Sequence, residues 1–267
     1  MNPTFQQRLR PFWLITLFCV GMPGAQADPA AVRYVQGAFH GFLEMRSEDG
    51  HVVASGDAEQ VMHGDRVTSQ TTFHFKDGST DEETTVFTQH RNFQLISDHH
   101  VQKGPSFPHP MDVMIDARSG QVTVHSPGKD GKDEVKTEHL DLPADLANGL
   151  VPLVVQNMRT DEMEKTVSMV VMTPKPRIVK LAISKQGESN YSLEGSARKA
   201  LHYEIKIELG GIVGVVAPLV GKAPPTIEIW TIGGVAPTFA REFGPLYPEG
   251  PMVTIQLASP VWPKPGE

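Results

Sequence analysis

The sequence predicts a mainly β protein: a β-rich α+β fold in which a large curved antiparallel sheet, or incomplete barrel, surrounds one principal buried helix. Three observations lead to this fold class. Apolar and polar residues alternate in many short runs, glycine-containing turn sequences separate these runs, and a single stretch has the spacing of an apolar helix. Strands joined by short turns pair in antiparallel order, so we expect a meander.

The alternation of apolar and charged residues is clearest between Tyr203 and Leu209, where every second residue is apolar. Side chains of a strand point alternately to its two faces, so this pattern is typical of a strand with one buried face. The segment Thr166–Met172 is more continuously apolar and is expected to be buried on both faces. The same alternation predicts further strands around Phe73, Val122, Val179 and Val253.

Five short glycine-containing sequences predict turns between these strands. Each combines glycine with Asp, Ser or His, and glycine next to Asp or Ser favours a tight connection between two strands. The five sequences are Glu48-Asp49-Gly50, His63-Gly64-Asp65, Lys76-Asp77-Gly78, Arg118-Ser119-Gly120 and Lys129-Asp130-Gly131.

One stretch interrupts the alternation and predicts the principal helix, near residues 143–157. Asp141 is a candidate N-cap, and Pro143 would lie in the first turn. Pro152 is expected to kink or shorten the helix, because proline lacks the backbone N–H. Apolar residues cover most of the circumference, so we expect the helix to be buried. Its candidate cavity-lining residues are Leu146, Leu150 and Val154.

A second unusual segment, residues 210–225, is apolar and rich in small residues. The simpler interpretation is a buried loop or short helix that crosses the core. The alternative is that the segment lines or gates an apolar cavity, because its glycines leave the backbone free to move. Its candidate cavity residues are Ile212, Val216 and Leu219.

Ten of the eleven histidines lie between His40 and His139, which raises the alternative of a histidine-dependent metal-binding protein. The densest group contains His99, His100 and His109, and these are the candidate metal ligands. Consecutive residues of a strand point to opposite faces, so His99 and His100 cannot both bind one ion from a regular strand. Exposed strand histidines are the simpler interpretation.

The sequence contains no catalytic motif that we recognise. There is no Gly-x-Ser-x-Gly sequence, and Glu82-Glu83 beside a turn is interpreted as a solvated pair rather than an acid–base pair. We therefore expect a non-catalytic protein without a cofactor. An enzyme of unrecognised type is the second alternative, after metal binding.

The first 27 residues have the order of a secretory signal peptide. Arg8 and Arg10 precede the apolar run Phe12–Val20, and the small-x-small sequence at 25–27 is a cleavage site. The apolar run is too short to span a bilayer comfortably. We expect a signal peptide over residues 1–27, cleavage after Ala27, and a single β-rich domain over residues 28–267 that is periplasmic or secreted.

Charge and composition restrict the partners of the mature chain. The formal net charge of −7 becomes more negative, about −9, when the two arginines of the signal are lost. Binding to nucleic acid depends on clustered Lys and Arg, so we expect no nucleic-acid partner. No later segment has the length of a transmembrane helix. Removal of Cys19, the one cysteine, leaves no thiol for a disulfide or a metal.

Four segments together resemble exported bacterial proteins of unknown function. They are the signal peptide and residues 98–108, 141–149 and 216–222. The order of antiparallel strands, apolar helix and further strands also resembles domain-of-unknown-function proteins that are related in shape to periplasmic lipoprotein carriers. That resemblance implies an incomplete β-barrel over a helix. We therefore expect the protein to bind a hydrophobic small molecule, a lipid or another protein of the cell envelope.

Overall fold

Fourteen antiparallel strands form one sheet in the part of the chain that the structure describes. The structure is a computed structural model, and it describes residues 29–128, 131–193, 196–208, 224–233 and 236–258. The elements are β1 (Phe39–Ser47), β2 (Val52–His63), β3 (Arg66–Phe75), β4 (Thr80–Gln89), β5 (Phe93–Lys103), β6 (Met111–Asp116), β7 (Gln121–Pro127), β8 (Asp133–His139), α1 (Val151–Asn157), β9 (Glu164–Val171), β10 (Arg177–Leu193), β11 (Ser196–Glu208), β12 (Ile227–Ile232), β13 (Thr238–Pro245) and β14 (Met252–Leu257).

The strand order is that of a meander whose two halves are joined by the pairing of β1 with β14. From one edge to the other it reads β8-β7-β6-β5-β4-β3-β2-β1-β14-β13-β12-β11-β10-β9. The predicted antiparallel arrangement is therefore confirmed. The edge strands β8 and β9 do not pair with each other, so the sheet is open along this seam.

The five predicted turns all fall between strands that follow one another in the chain. The glycine of each turn has a positive φ, for example 85° at Gly78 between β3 and β4. L-amino acids with a side chain rarely adopt this conformation, so the turn chemistry alone was sufficient to locate these connections. Residues 129 and 130 of the fifth turn lie outside the described residues.

The sheet curls so strongly that strands far apart in its order face each other. Four strands separate β4 from β13 in the sheet, yet the charge of Glu242 on β13 raises the pKa of Glu83 on β4. The amide nitrogen Nε2 of Gln102 on β5 donates a hydrogen bond of 3.1 Å to the carbonyl oxygen of Leu246, which follows β13. The right-handed twist that strands adopt accounts for this curvature in a sheet of such width.

Two apolar clusters fill the inner face of the curled sheet. The larger cluster combines residues of β3–β7 with residues of β9–β12 and α1, including Phe87, Ile115 and Leu181. The smaller cluster lies on β1, β2, β3 and β14 and includes Met45 and Phe73. Because the larger cluster joins strands from both halves of the sheet, it holds the curl in place.

The principal helix is shorter than the sequence predicts. It was expected near residues 143–157, but α1 begins at Val151. Leu150 occupies the N-cap position without a side-chain hydrogen bond, and Asp141 lies well before it. Pro152 does not kink the helix, because it lies in the first turn, where no backbone N–H is needed. The helix is buried as expected, through Leu153, Val154, Val155 and Asn157.

Residues 145–148 cover the edge of β9 instead of forming a helical turn. The backbone N–H of Ala147 donates to the carbonyl oxygen of Ser168 at 2.8 Å, and that of Ser168 donates to the carbonyl oxygen of Asp145 at 3.2 Å. The side-chain amide of Asn148 makes two more hydrogen bonds to the backbone of Val170. Covering an edge strand satisfies its free backbone groups, and this competes with helix formation.

A buried network of three side chains reinforces this edge. Ser168 Oγ donates to Asp145 Oδ1 at 2.8 Å, and Lys180 Nζ lies 2.7 Å from Ser168 Oγ and 3.0 Å from Asp145 Oδ2. Ser168 is fully buried and its lysine is paired with a carboxylate, so the trio is a structural brace rather than a nucleophile with its base.

The segment before β1 runs across the opposite end of α1. The backbone N–H groups of Arg33 and Tyr34 both donate to Asn157 Oδ1, at 3.0 and 2.9 Å. Gln89 exchanges two hydrogen bonds with the backbone of Gln36. Buried side-chain amides thus take the place of a sheet partner for this segment. None of the helical residues that the structure describes forms a helix of membrane-spanning length and hydrophobicity.

Candidate functional site

One row of residues crosses the inner face where the strands carry small or polar side chains. Consecutive cross-strand pairs join Gly41 of β1 to Ala58, Thr71, Glu83 and finally His100 of β5. These positions share the face of the core residues, because side chains two residues apart on a strand lie on the same side. We call this set of five residues the inner row.

Open space lies over the β1 end of the inner row. A Cβ atom built on Gly41 would have no heavy atom within 4 Å. In the neighbouring row, a Cβ on Gly56 would lie only 2.5 Å from Cδ1 of Phe73. Ala58 and Thr71 are also only partly buried, and Glu83 keeps 32% of its side chain accessible. Open space therefore lies over Gly41, whereas the adjacent row is tightly packed at Gly56.

A buried ion pair lies at the other end of the inner row. His100 Nε2 lies 2.6 Å from Asp81 Oδ1, and His100 Nδ1 lies 3.8 Å from Glu83 Oε1. The side-chain amide of Gln102 donates to Asp81 Oδ2 at 3.0 Å. Burial alone would lower the pKa of His100, but its hydrogen bond to Asp81 and the nearby carboxyl groups raise it to about 9. His100 is therefore a cation at neutral pH.

Three further carboxyl groups near this pair have raised pKa values. Burial and the charge of Glu83 raise the pKa of Asp98 to about 7. The hydrogen bond of 2.8 Å that Thr85 Oγ1 donates to Asp98 has the opposite, smaller effect. Burial raises the pKa of Glu242 to about 7. Burial also raises the pKa of Glu83; the charge of His100 opposes this effect, and the charges of Asp81 and Glu242 add to it. We call Asp81, Glu83, Asp98 and Glu242 the carboxyl cluster.

Apolar side chains flank the carboxyl cluster on both sides. Phe73 pairs directly with Asp81, and Ile255 pairs directly with Glu242, both from the side of the smaller apolar cluster. Val113 of the larger cluster pairs with His100. A few converging polar groups between apolar walls are typical of pockets that bind small molecules.

The predicted cavity residues of the helical region belong to the larger apolar cluster. Leu146, Leu150 and Val154 are only 4%, 2% and 3% exposed. Leu150 directly follows Gly149, where an added Cβ would lie 2.9 Å from Asp98 Oδ1. Whether the three residues also contact a ligand stays a prediction. Ile212, Val216 and Leu219 lie outside the described residues.

The predicted metal ligands do not come together. His99 points to the outer face and lies 2.8 Å from Asp112 Oδ1, whereas His100 lies on the inner face, as the alternation of a strand requires. His109 lies in the loop between β5 and β6. Among the described residues, no group of three His, Cys, Asp or Glu side chains is placed to hold a metal ion.

The carboxyl cluster was not predicted from the sequence. The prediction of a solvated Glu82-Glu83 pair holds for Glu82, which faces outward and lies 3.4 Å from Lys103 Nζ, but not for Glu83, which lies on the inner face. A signal was present in the register: Asp81 and Glu83 alternate on β4 with the same period as Asp98 and His100 on β5. The contribution of Glu242 depends on the curl of the sheet, which no local pattern reveals.

Two other clusters of side chains lie on the outer face and at the end of α1. On the outer face, Trp230 is covered by the stacked ring of His202, 4.6 Å away, and by the guanidinium of Arg241, 3.8 Å away. At the end of α1, a surface depression is lined in part by Arg33 and Arg159, which are bound to Met158 and Asp161. The arginines of the depression are paired, whereas Nε of Arg241 is buried without a hydrogen-bond partner among the described residues.

Comparisons with known proteins add one structural likeness. No protein-family model and no curated protein matches this chain. The chain is similar to the crystal structure of a beta-barrel-like protein of a domain of unknown function, DUF1849, from Brucella abortus, with a TM-score of 0.46 and 8% identity over 86% of this chain and 100% of that one. No residue role is transferred from that protein.

Proposed function

We propose that this chain is a non-catalytic binding protein that holds a hydrophobic small molecule or lipid inside its curled sheet. The observation that carries this proposal is the unfilled space over the inner row, where Gly41 faces no heavy atom within 4 Å. Protein interiors are normally close-packed, so unfilled volume beside a packed core is a candidate ligand site.

The surroundings of this space suit an apolar molecule with few polar contacts. Leu43 and Phe73 occupy the next row on β1 and β3, and both are buried in the smaller apolar cluster. The inner row contributes the polar residues Thr71, Glu83 and His100, the row on its other side contributes Gln60 and Ser69, and Glu83 keeps part of its side chain accessible. Such a site buries the apolar body of a ligand and orients it through a small number of polar groups.

We further propose that the protein acts in the periplasm or outside the cell, after cleavage at Ala27. The order of basic residues, apolar run and Ala-Gln-Ala in the first 27 residues supports export. Binding of a hydrophobic molecule is useful in an aqueous compartment next to membranes. N-terminal sequencing of the exported protein should begin at Asp28; retention of Met1 would contradict export.

Filling the space with a side chain tests the binding proposal. We expect Gly41→Leu to weaken binding of the apolar fluorophore N-phenyl-1-naphthylamine by about tenfold or more, or about 1.4 kcal/mol. The matched control is Gly37→Leu, because Gly37 also has no heavy atom within 4 Å of a Cβ position but is exposed. Fluorescence titration gives the affinity of each variant.

The outcomes of this experiment are distinct. Equal loss in both variants would place the binding elsewhere, and absence of binding by the wild-type protein would overturn the proposal. Native mass spectrometry of protein isolated from its own cell envelope provides a second measurement, in which a retained lipid is the expected result.

A further inference from the structure

We propose that ligand binding is coupled to protons: an apolar molecule enters the space over the inner row when Glu83, Asp98 and Glu242 are neutral, and it leaves when they ionise. This inference rests on the proposed function, because it concerns the regulation of the same site. It follows from the position of the three carboxyl groups, which lie on opposite walls of one interior.

The two glutamates approach each other from strands that the curl brings together. Glu83 lies on β4 in the inner row, and Glu242 lies on β13, where its cross-strand neighbours are Ile229 and Ile255. Within the ranges that the structure describes, the carboxyl group of Glu242 has neither a hydrogen bond nor an ion pair. An ionised carboxylate in such apolar surroundings is costly, so the neutral form is favoured.

Asp98 is the most deeply placed member of the three. It is 1% exposed, accepts a hydrogen bond from Thr85 and lies against the backbone of Gly149, just before α1. Its partners are a hydroxyl group and a glycine, and neither carries a positive charge. The charge of His100 favours ionisation of Asp98, but burial outweighs this effect, so an ionised Asp98 would be a buried charge without a direct ion pair.

Among the described residues, His100 is the one cation on the inner face of β4, β5, β13 and the strands that pair with them. Asp81 and Glu83 face the interior from β4, Asp98 and His100 from β5, and Glu242 from β13. The inner positions described on α1, β1, β2, β3, β6, β12 and β14 carry no titratable side chain, and Tyr203 of β11 is packed in the larger cluster. On β9 and β10, Lys165, Arg177 and Lys185 share the inner face by their register with Ile183, Val171 and Tyr203. The imidazolium of His100 is already bound to Asp81 at 2.6 Å.

The direction of the coupling follows from these charges. The pKa of Asp98 and that of Glu242 are about 7, and that of His100 is about 9. Between pH 5.5 and pH 8.0, the imidazolium therefore keeps its proton while Asp98 and Glu242 lose theirs. A ligand that displaces water from an ionised carboxylate loses that hydration energy, so the affinity for an apolar molecule should fall as the pH rises.

The experiment measures the binding of N-phenyl-1-naphthylamine, which is neutral throughout this range, to the full mature chain. We expect the dissociation constant to rise about tenfold between pH 5.5 and pH 8.0, the change for one coupled proton with a pKa near 7. The double variant Glu83→Gln/Glu242→Gln should lose most of this change in the dissociation constant, and the ionisation of Asp98 accounts for the part that remains. Glu242→Gln alone should reduce the pH dependence of the dissociation constant. This single variant replaces the double variant if the double variant does not fold.

The matched control changes the same residue types on the outside of the molecule. Glu48 and Glu59 are exposed, so Glu48→Gln/Glu59→Gln should keep the wild-type pH dependence. A wild-type affinity that is constant or rises with pH would overturn the coupling and leave the proposed function in place. No binding at any pH would overturn both.

Discussion

His100 and Asp81 determine the balance of charge inside the sheet. Their contact of 2.6 Å joins an imidazolium to a carboxylate, with 17% and 13% of the two side chains exposed. Removing one partner of such a pair leaves the other charge buried, and this costs more than the pair itself contributes. The neighbouring residue His99 has the opposite environment, since 44% of its side chain is exposed beside Asp112.

The substitutions His100→Ala and His99→Ala compare the two environments directly. We expect His100→Ala to lower the free energy of unfolding by about 2–4 kcal/mol, because Asp81 loses its cation and the larger apolar cluster loses packing. His99→Ala should change it by less than about 1 kcal/mol, as exposed pairs contribute little. Urea denaturation at pH 6.5 measures both; equal effects would show that the inner pair is not specially important.

At the scale of elements, the connection between β8 and β9 covers the edge of β9 and also supplies α1 to the interior. Residues 145–148 satisfy the edge of β9 through backbone hydrogen bonds, and α1 then fills the inner face. Gly149 lies between these two parts with φ of 63°, and a Cβ there would collide with Thr85 Oγ1. This glycine therefore meets a conformational and a steric requirement together.

The substitutions Gly149→Ala and Gly64→Ala separate these two requirements. Gly64, in the turn between β2 and β3, has a similar φ of 60° but no heavy atom within 4 Å of a Cβ position. We expect Gly64→Ala to cost about 1 kcal/mol, the conformational penalty alone. Gly149→Ala should cost about 1–3 kcal/mol more, because Thr85 and the helix must shift. Thermal and urea unfolding measure the difference, and equal costs would contradict the contact with Thr85.

At the scale of the whole molecule, the fold is a meander curled around an interior that is part apolar and part acidic. The stability of this fold depends on pH through two opposing components. Surface acids with a lowered pKa, such as Glu44 and Asp77, contribute stability that is lost as the pH falls through their folded pKa values. The interior groups have raised pKa values, so the stability that they contribute is lost as the pH rises.

We expect the thermal midpoint to be several degrees higher at pH 5.5 than at pH 8.5. The folded pKa values of Asp98, Glu242 and His100 are raised above their unfolded values, to about 7, 7 and 9. The stability from these groups is complete below their unfolded pKa values and is lost as the pH rises through the folded ones. Asp98→Asn should reduce this decline in a calorimetric series, whereas a wild-type midpoint that rises from pH 5.5 to 8.5 would contradict the buried cluster.

Local patterns in the sequence were enough for the strands, the turns and the class of the fold. Alternation of apolar residues located β3, β7, β10, β11 and β14, because each of these strands has one buried face. Glycine turns located the connections, because a positive φ is a property of single residues. The helix was predicted too long, because its spacing from Leu146 to Leu150 belongs to a segment that pairs with an edge strand instead.

What the sequence by itself determined is therefore the antiparallel meander, the opposite directions of His99 and His100, and the burial of one helix. The tertiary structure alone decided which polar residues share an interior. Glu83 and Glu242 are far apart in the chain and in the strand order, and only the curl of the sheet places them in one electrostatic environment. The physical reason is that alternation is a local property of each strand, whereas curvature depends on twist and core packing summed over the entire sheet.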